Sequence, residues 1–530
     1  MRRWNGWGDE TVAPALPEAA GRFLAAELGE PSPPRDATLA EALGSVARSR
    51  LPEDASYTTD AEARLRHARG QSLPDWVALR SGRLERFPDA VAFPESAADV
   101  RDLLRLSRRR GVRLVPYGGG TSVVGHLTPP KGDAPVLTVS LARLSRLTAL
   151  DRESRLATFG AGVLGPELEA QLRPHGLTLG HFPQSFEHST LGGWVVTRSS
   201  GQQSMAYGRI ERLFAGGRLE SPEGTLVLPA FPASAAGPDL RELVLGSEGR
   251  LGILTEAVVR ASALPEEDRV LAFFFPDWER GRAATREMAQ EGLPLSMLRL
   301  SNVVETRTTL LLAGGERLIR LLTRWLSLRG AGDERCLLLA GVTGSASLAR
   351  FGARAATAVA RRHRGVGGPR AIGEAWSKNR FRAPYLRNAL WERGWAVDTL
   401  ETAATWDRIP ALVEAVEGAL RGALGAAGER VHAYTHLSHC YPSGSSAYTT
   451  YLFRAATSPE ETLERWRLLK GAASEAIVRG GGTISHQHGV GVDHAPYLPR
   501  EKGELGMKAL GSVAAAFDPD GLMNPGKLLA

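Results

Sequence analysis

The sequence predicts an α+β fold in which short strands alternate with helices. From residue 87 onward, apolar runs of strand length are separated by amphipathic, arginine-rich segments of helical length. Three glycine-rich segments also lie between residues 115 and 256, each next to a strand-like run or a cluster of hydroxyl residues. The length of 530 residues leaves room for two or three domains with a large core.

The predicted elements follow in chain order. Residues 1–86 are expected to form a mainly helical N-terminal region, interrupted near Pro31–Pro34. In the next region, 87–265, Ser96 is a suitable N-cap for a helix at Ala97–Arg110, and Gly111 would end it. Strands are predicted around this helix and further along the region, at 89–93, 112–115, 136–140, 156–159 and 253–259.

A second region, 266–455, opens on the apolar run Arg269–Phe275. Further strands are predicted in it at 337–342, 432–437 and 446–453, separated by long helices. The last region, 456–530, begins with a helix over Glu460–Arg479 that should end at Gly480–Gly482. We find no internal repeat and no low-complexity tail.

Composition limits the class of protein. The chain is 43% hydrophobic and 23% charged, which is typical of a globular protein. No apolar run approaches the roughly 18 residues that span a bilayer, and the N-terminus lacks the apolar core of a secretory signal. Cys336 and Cys440 are the only cysteines, so a disulfide framework is not expected. These features predict a cytoplasmic protein.

The net charge of +7 does not predict nucleic-acid binding. The cations are almost all arginine, they are interspersed with acidic residues, and no recognition motif accompanies them. A basic face could instead favour an anionic membrane surface or attract a phosphorylated substrate. No amphipathic membrane anchor is apparent in the sequence, and the C-terminus carries no peroxisomal signal.

The most informative segment is Val115–Gly125, which reads as a loop built to hold a diphosphate. Gly118, Gly119 and Gly120 remove every Cβ, so the backbone can approach an anion closely. Thr121 and Ser122 add hydroxyl donors, and consecutive N–H groups can form an anion-binding concavity.

Two further segments share this character. Phe182–Trp194 is dense in small and hydroxyl residues, and Gly246–Glu256 is a glycine-lined turn that runs into a strand. Together the three loops suggest one extended ligand that contains phosphates. A Rossmann domain would instead offer one G-x-G-x-x-G between a strand and a helix, whereas Gly118–Gly120 runs toward Pro129–Pro130.

These residues, in this order, resemble the FAD-binding flavoproteins of the vanillyl-alcohol oxidase or PCMH type. Other motifs are similar to those of the alkyldihydroxyacetonephosphate synthases (alkylglycerone-phosphate synthases) within that superfamily. The motifs are Trp4–Gly8, Ser189–Trp194, Gly237–Asp239, Thr402–Arg408 and Ser485–Gly491. The resemblance covers almost the whole chain.

The resemblance implies a two-subdomain, PCMH-type FAD-binding domain and a substrate-binding cap domain with an antiparallel sheet flanked by helices. It also implies that the C-terminal segment brings its histidine-rich loop back to the FAD domain. FAD would be held noncovalently, and His126 would be an ordinary loop residue. The implied FAD-binding residues are Pro116, Tyr117, Gly118, Gly119, Gly120, Thr121, Ser122, Pro183, Gln184, Ser185, Ser189, Thr190, Gly192, Gly193, Thr197, Arg198, Ser199, Ser200, Tyr207, Ile210, Glu248, Gly249, Gly252 and Ile253.

The family's activity implies a transferase. It exchanges the acyl group of acyl-dihydroxyacetone phosphate for a long-chain fatty alcohol, which gives an ether lipid precursor. The exchange proceeds through a flavin N5 adduct and has no net redox change. The implied partners are these two substrates, with peripheral membrane contact and a homodimer also suggested by the family.

The resemblance also assigns site residues. Arg387 matches the arginine expected at the substrate phosphate, where a guanidinium suits a dianion. Arg299 falls where an essential arginine is expected. Tyr448 matches the tyrosine proposed for proton transfer, although a phenol needs help from neighbouring groups to act as a base. Tyr441 and Tyr451 are the alternative candidates for this proton-transfer role, and Tyr441 is expected to contact substrate.

Histidine carries protons readily near neutral pH, which makes His486 and His488 candidates for acid–base work. They are expected on an exposed loop between glycines. Family members commonly have three consecutive histidines here, whereas this chain has Gln487 in the middle, so we assign the outer pair rather than a single residue.

Three alternatives stay open at this point. The same site could serve an FAD oxidase or dehydrogenase of a 2-hydroxy acid or an alcohol, toward which His436 and His439 lean slightly. A metal could be held by histidines among His432, His436, His439, His486 and His488, although no Cys or H-E-x-x-H spacing supports one and none is predicted. A noncatalytic flavin-binding protein is disfavoured by the candidate acid–base and phosphate-binding groups.

Overall fold

The N-terminal region is less helical than predicted. The computed structural model describes residues 2–312 and 315–529. Four helices cover fewer than half of the residues before position 87, with Pro31, Pro33 and Pro34 keeping one connection irregular because proline has no N–H to donate. The helices are α1 (Glu18–Leu28), α2 (Leu39–Gly44), α3 (Ala61–Arg66) and α4 (Leu73–Ser81).

The first α/β region contains two main sheets, which matches a domain of two subdomains, and a short two-stranded antiparallel sheet of β6 and β10. A three-stranded parallel sheet has the order β1-β3-β2, and a five-stranded antiparallel sheet has the order β4-β5-β9-β7-β8. The elements are β1 (Ala90–Ala92), α5 (Ala97–Arg110), β2 (Arg113–Tyr117), β3 (Val136–Ser140), β4 (Leu147–Asp151), β5 (Leu156–Gly160), α6 (Gly165–Leu172), β6 (Leu177–Thr178), α7 (Leu191–Thr197), α8 (Ser204–Tyr207), α9 (Ile210–Leu213), β7 (Phe214–Ser221), β8 (Gly224–Leu228), α10 (Arg241–Val244), β9 (Ile253–Arg260) and β10 (Ser262–Ala263).

Helix α5 shows why local prediction works here. The Ser96 side chain accepts the N–H of Asp99, and the Asp99 carboxylate reaches back to the Ser96 N–H, which forms a capping box. Gly111 ends the helix at φ +62°, a conformation that costs glycine little. The predicted bounds of α5 and of β3 are confirmed, and the next strand, β2, leads directly into the first glycine loop.

The second region is built on one antiparallel sheet of seven strands, in the order β14-β11-β13-β12-β16-β17-β15. All the strands predicted for it are confirmed to within two residues. The elements are β11 (Glu267–Phe275), α11 (Trp278–Gln290), β12 (Met297–Ser301), α12 (Val303–Leu312), α13 (Glu316–Leu328), β13 (Cys336–Gly344), α14 (Ala346–Arg362), β14 (Val366–Gly367), α15 (Arg370–Asn379), α16 (Leu386–Glu392), β15 (Trp395–Thr405), α17 (Ile409–Ala423), β16 (His432–Ser438) and β17 (Gly444–Arg454).

Register in this sheet brings three predicted or candidate site residues together. Tyr448 of β17 lies opposite Glu401 of β15 on one side and His436 of β16 on the other. Directly opposed residues point to the same face of a sheet. Arg299 of β12 reaches the same group from the strand beyond β16.

The C-terminal segment returns to the first region. Helix α18 (Pro459–Arg479) packs against α4 and α17, and α19 (Leu498–Phe517) follows with a kink at Gly503. The Leu114 N–H of β2 then donates to the Leu522 carbonyl, and the Asn524 N–H donates to the Leu114 carbonyl. The domain boundaries 86/87, 265/266 and 455/456 stay a prediction.

Helix α13 has an apolar outward face that bears on the expectation of no amphipathic membrane anchor. Leu322 and Leu326 face the core, while Leu318, Leu321 and Leu328 are 72%, 67% and 81% exposed. The leucines that turn outward are interspersed with arginines, which hides the pattern in a residue-by-residue reading. Among the described residues, no helix is long and apolar enough to cross a membrane.

Candidate active site

A cavity of about 630 Å³ lies between the first region and the seven-stranded sheet. One end is lined by the three glycine-rich loops, the middle by polar side chains of β12, β15, β16 and β17, and the far end by apolar side chains of α1 and α12. This order places a backbone-lined cradle, a polar centre and an apolar compartment in one continuous space.

The first and second glycine loops abut each other. A Cβ on Gly119 would overlap the backbone carbonyl of His188, and one on Gly118 would overlap the hydroxyl of Thr190. Gly120 has φ +66°, in the left-handed region. These contacts leave no room for side chains, so the loop presents bare backbone to the cavity.

Most of the predicted FAD-binding residues line this end of the cavity. Those that do so are Pro116, Tyr117, Gly118, Gly119, Gly120, Thr121, Ser122, Pro183, Gln184, Ser185, Ser189, Thr190, Gly192, Gly193, Thr197, Ser199, Ser200, Glu248, Gly249 and Gly252. Helix α7, which the residue pattern only weakly indicates, begins within the second loop, with the Thr190 hydroxyl accepting the Gly193 N–H.

Four predicted residues lie elsewhere. Ile210 and Ile253 are buried in the core of the first region, and Arg198 pairs with Glu242 at 2.5 Å. Tyr207 lines a separate cavity, and burial raises its pKa to about 12.

Several lining residues were missed by the sequence reading, among them Gln71, Gln202 and Asn524. No spacing marks the two glutamines, because their approach depends on the tertiary fold. Asn524 stands in Asn524–Pro525–Gly526, a turn signal that could have flagged it. Its side-chain Oδ1 and the Oε1 atoms of Gln71 and Gln202 are buried without a hydrogen-bond partner. Such unsatisfied acceptors need a ligand with N–H or O–H donors, while the bare-backbone N–H groups beside them suit phosphate oxygens, so the two together fit a polar cofactor that carries both.

At the polar centre, Arg299, Glu305 and His436 form a closed triangle. The Arg299 guanidinium lies 2.6 Å from Glu305 and 3.1 Å from His436 Nε2, and His436 Nδ1 lies 3.1 Å from Glu305. Burial alone would raise the pKa of Glu305, but His436 and Arg299 lower it to about 2. Burial, reinforced by Arg299, lowers the pKa of His436. The triangle therefore holds a carboxylate and a guanidinium under the cavity.

Tyr448 lies on top of this triangle. Its ring stacks on His436 with centroids 5.0 Å apart, and His488 meets it edge-on at 5.5 Å. Its hydroxyl donates to Thr399 Oγ1 at 3.1 Å, and burial raises its pKa to about 12. Tyr448 is therefore protonated at neutral pH and can act as a proton donor without further activation.

None of residues 485–491 is exposed, so the expectation of an exposed loop for His486 and His488 was wrong. His486 is 6% exposed, and the His488 side chain is 13% exposed. The reason is that the loop is enclosed between the two regions, which its flanking glycines do not reveal. Gln487 and His488 line the cavity, and burial lowers the pKa of His488.

His486 and Tyr441 do not line the cavity. The Tyr441 hydroxyl lies 2.7 Å from His486 Nε2, and Arg209 contacts both. Burial lowers the pKa of His486 well below its usual range. The structure thus places these two assigned residues behind the site, in contact with each other.

Arg387 extends into the cavity with unused donors. Its Nη1 donates to the Gln71 carbonyl at 2.5 Å, and its guanidinium stacks on Trp76 at 4.3 Å. The Nε and Nη2 atoms are buried without a partner. Burial lowers the pKa of Arg387 to about 10, so it stays charged at neutral pH. Unpaired buried guanidinium donors are costly, and an anionic ligand would satisfy them.

The histidines considered as metal ligands are each engaged with other side chains. His432 contacts Thr308, His436 belongs to the triangle, and His439 contacts Ser200 and Ser204. Within residues 2–312 and 315–529, no group of three or more His, Cys, Asp and Glu side chains is arranged to hold a metal ion.

Comparison with known proteins identifies the chain as an FAD-dependent flavoprotein. Residues 88–228 match the family model of an FAD binding domain, and residues 264–528 match that of the FAD linked oxidases, C-terminal domain. The predicted fold class and the cofactor, FAD, are confirmed by these matches.

The relatives narrow the class to one family. The chain is 31% identical to the alkyldihydroxyacetonephosphate synthase of Trypanosoma brucei brucei, over 89% of this chain and 78% of that protein. It is 29% identical to the enzyme of that name from Dictyostelium discoideum, over 99% and 93% of the two chains. A solved alkyldihydroxyacetonephosphate synthase structure superposes with a TM-score of 0.83 at 25% identity, covering 99% and 98%. The chain belongs to the alkyldihydroxyacetonephosphate synthase family.

Proposed function

We propose that the protein is an FAD-dependent alkyldihydroxyacetonephosphate synthase that exchanges the acyl group of acyl-dihydroxyacetone phosphate for a long-chain alcohol. The observation that carries this proposal is the continuity of the cavity, in which buried, unpartnered Arg387 donors and an apolar end share one space with the glycine loops. A phosphorylated head group with a long alkyl chain fits both features.

The glycine-loop residues that line the cavity would hold FAD. When bound, FAD would supply the covalent chemistry at the substrate carbon that carries the acyl group, next to the ketone. The chain's own residues bind the substrate, orient it and handle protons. Arg387 would pair with the phosphate through Nε and Nη2, which fixes the head group relative to the polar centre.

Proton handling falls to Tyr448 and His488. Exchange breaks a carbon–oxygen bond to the carboxylate and forms one to the alcohol, so a proton must leave the alcohol oxygen. His488 is neutral at neutral pH because burial lowers its pKa, and it can accept that proton. Tyr448 can donate a proton to the departing carboxylate, and the proton accepted by neighbouring His488 can restore the phenol. The Arg299–Glu305–His436 triangle fixes the ring on which Tyr448 stacks.

The apolar end of the cavity would hold the alkyl chain. It is formed by Leu16, Ala20, Phe23 and Leu24 of the α1 region, together with Leu311 and Leu312 of α12. Removing such a chain from water provides most of its binding free energy, at about 0.8 kcal/mol per buried CH₂ group.

Helix α13 follows α12 and would place this end against a lipid surface. Its outward face carries Leu318, Leu321 and Leu328, and neither Arg320 nor Arg324 forms an ion pair with a described residue. Arginines beside exposed leucines favour an anionic bilayer.

The double variant Leu321→Glu and Leu328→Glu should abolish sedimentation of the protein with phosphatidylglycerol vesicles. Leu505→Glu, at a similarly exposed leucine, should not. Equal sedimentation of both variants would exclude α13.

The function is tested by a product assay on the purified flavoprotein. The protein is given palmitoyl-dihydroxyacetone phosphate and labelled hexadecanol under anaerobic conditions, without an electron acceptor. Labelled alkyl-dihydroxyacetone phosphate and free palmitate, formed over many turnovers, are the expected products. Flavin bleaching by a hydroxy acid or an alcohol, with no exchange, would instead assign the chain to the oxidases and dehydrogenases.

A further inference from the structure

The loop Ser485–Gly491, here called the histidine loop, is held by a buried carboxylate from each side. On the side of the seven-stranded sheet, Glu401 of β15 is fully buried. It accepts the Ser485 hydroxyl at 2.8 Å and the N–H groups of the next three residues, those of His486 at 2.5 Å, Gln487 at 3.1 Å and His488 at 2.8 Å. One carboxylate thus satisfies the first half of the loop.

The second half is held from the first region. Glu248 of the third glycine loop accepts the N–H groups of Val490 at 2.5 Å and Gly491 at 2.8 Å. Its backbone is in the left-handed region, at φ +54°, and Asn524 donates to its carbonyl at 2.8 Å. A non-glycine residue held in this conformation indicates that its side-chain direction is constrained by the surrounding fold.

We propose that Glu401 and Glu248 are positioning residues that hold the histidine loop between the two regions, so that His488 lies against Tyr448 during exchange. The inference rests on the proposed function for its catalytic consequence. Its structural part, that two carboxylates organise this loop, stands on the hydrogen bonds alone.

The physical reason is the loop's lack of backbone partners. The histidine loop is neither helix nor strand, yet its residues are buried or half-buried, and N–H groups shielded from water without partners are costly. The two carboxylates accept five of its N–H groups and leave the ring of His488 free to face the cavity. Ser485 strengthens the arrangement, because its hydroxyl also accepts the Gly489 N–H at 3.0 Å.

Glu401 also acts on the charge of His488, from 3.6 Å. Burial lowers the pKa of His488, and the Glu401 carboxylate opposes that shift. The titratable and charged groups around this imidazole are Glu401 and Asp398 of β15, Lys470 of α18, Tyr448 of β17, His126, His486 and His494. Loss of the Glu401 charge should therefore lower the pKa of His488 further, an effect that a purely structural defect would not produce.

The test compares Glu401→Gln with Glu169→Gln in the holoenzyme. Glu169 is a matched control, since it is a buried carboxylate that accepts two backbone N–H groups, those of Leu179 and Gly180, outside the catalytic cavity. For Glu401→Gln we expect kcat to fall about 100-fold, because small misplacements of a reacting group have effects of that size. We expect KM to change little, and the acid limb of the kcat–pH profile to move to lower pH.

Two further measurements keep the test decisive. Hydrogen–deuterium exchange of the peptide covering 485–491 should become faster in Glu401→Gln and in Glu248→Gln but not in Glu169→Gln. Ser485→Ala is a milder change that can be used if Glu401→Gln does not fold. It should speed hydrogen–deuterium exchange and lower kcat as Glu401→Gln does, but to a smaller extent. Unchanged exchange and an unmoved acid limb would overturn the proposal. An inactive wild-type enzyme would refute the proposed function while leaving the exchange result to decide the role of the two glutamates.

Discussion

The backbone-lined end of the catalytic cavity and its polar centre are built from different groups. At the glycine loops the lining is mostly backbone, and the loops pack so closely that a Cβ at Gly118 or Gly119 would overlap the neighbouring loop. At the seven-stranded sheet the lining is side chains whose positions depend on paired charges and stacked rings, such as Arg299 with Glu305 and Tyr448 with His436. Substitutions at the glycine loops should therefore abolish cofactor binding by changing the shape of the cavity. Substitutions at the polar centre should impair substrate binding or turnover while the shape of the cavity is retained.

The largest expected effect is at Gly119. Gly119→Ala places a Cβ on the His188 carbonyl, so the two loops must separate and flavin binding should be lost. The absorbance of purified protein near the flavin bands measures this directly. Gly418→Ala is the control, because a Cβ there meets nothing within 4 Å and lies inside α17. A yellow, fully loaded Gly119→Ala protein would show that this backbone does not form the cradle.

Arg387 should behave in the opposite way. Arg387→Ala removes the unpartnered donors from the cavity, so KM for the phosphorylated substrate should rise at least 100-fold, while flavin content stays normal. Steady-state kinetics and the flavin spectrum separate the two effects. Arg382→Ala changes an exposed arginine of the same segment and should leave both unchanged. Normal kinetics for Arg387→Ala would remove its assignment to the phosphate.

The same contrast explains what the sequence could predict. The glycine loops are recognisable because their residue type is itself the structural requirement, and helix α5 because its capping residues are local. Arg299 and Tyr448 were assigned by resemblance, but Glu305 was missed, since its pairing with His436 spans 131 positions. The burial of the histidine loop was also missed, because Glu401 and Glu248 reach it from distant parts of the chain.

Tyr448 and Tyr441 give a comparison between a tyrosine that lines the polar centre and one behind it. Tyr448→Phe removes a hydroxyl that lies in the cavity, and turnover should fall about 100-fold with flavin and KM retained. Tyr441→Phe removes a hydroxyl that contacts His486 and Arg209 behind the site, so a loss of less than about tenfold is expected. Rapid-mix single-turnover measurements distinguish the chemical step from product release. An equal loss of turnover in both variants would mean that lining the cavity does not make Tyr448 more important for turnover than Tyr441.

The smallest effect concerns pH and stability. Asp493 follows the histidine loop, its Oδ2 is buried without a partner, and burial raises its pKa from 3.8 to about 7. The folded state then binds more protons than the unfolded state between about pH 4 and pH 7, so this residue lowers the free energy of unfolding as pH rises through that window. Asp493→Asn removes the penalty. Since solvent reaches part of this side chain, we expect a gain of about 1–2 kcal/mol at pH 8 and none at pH 4. Thermal unfolding at the two pH values measures the difference, and an equal gain at both would mean that the carboxylate charge is not its source.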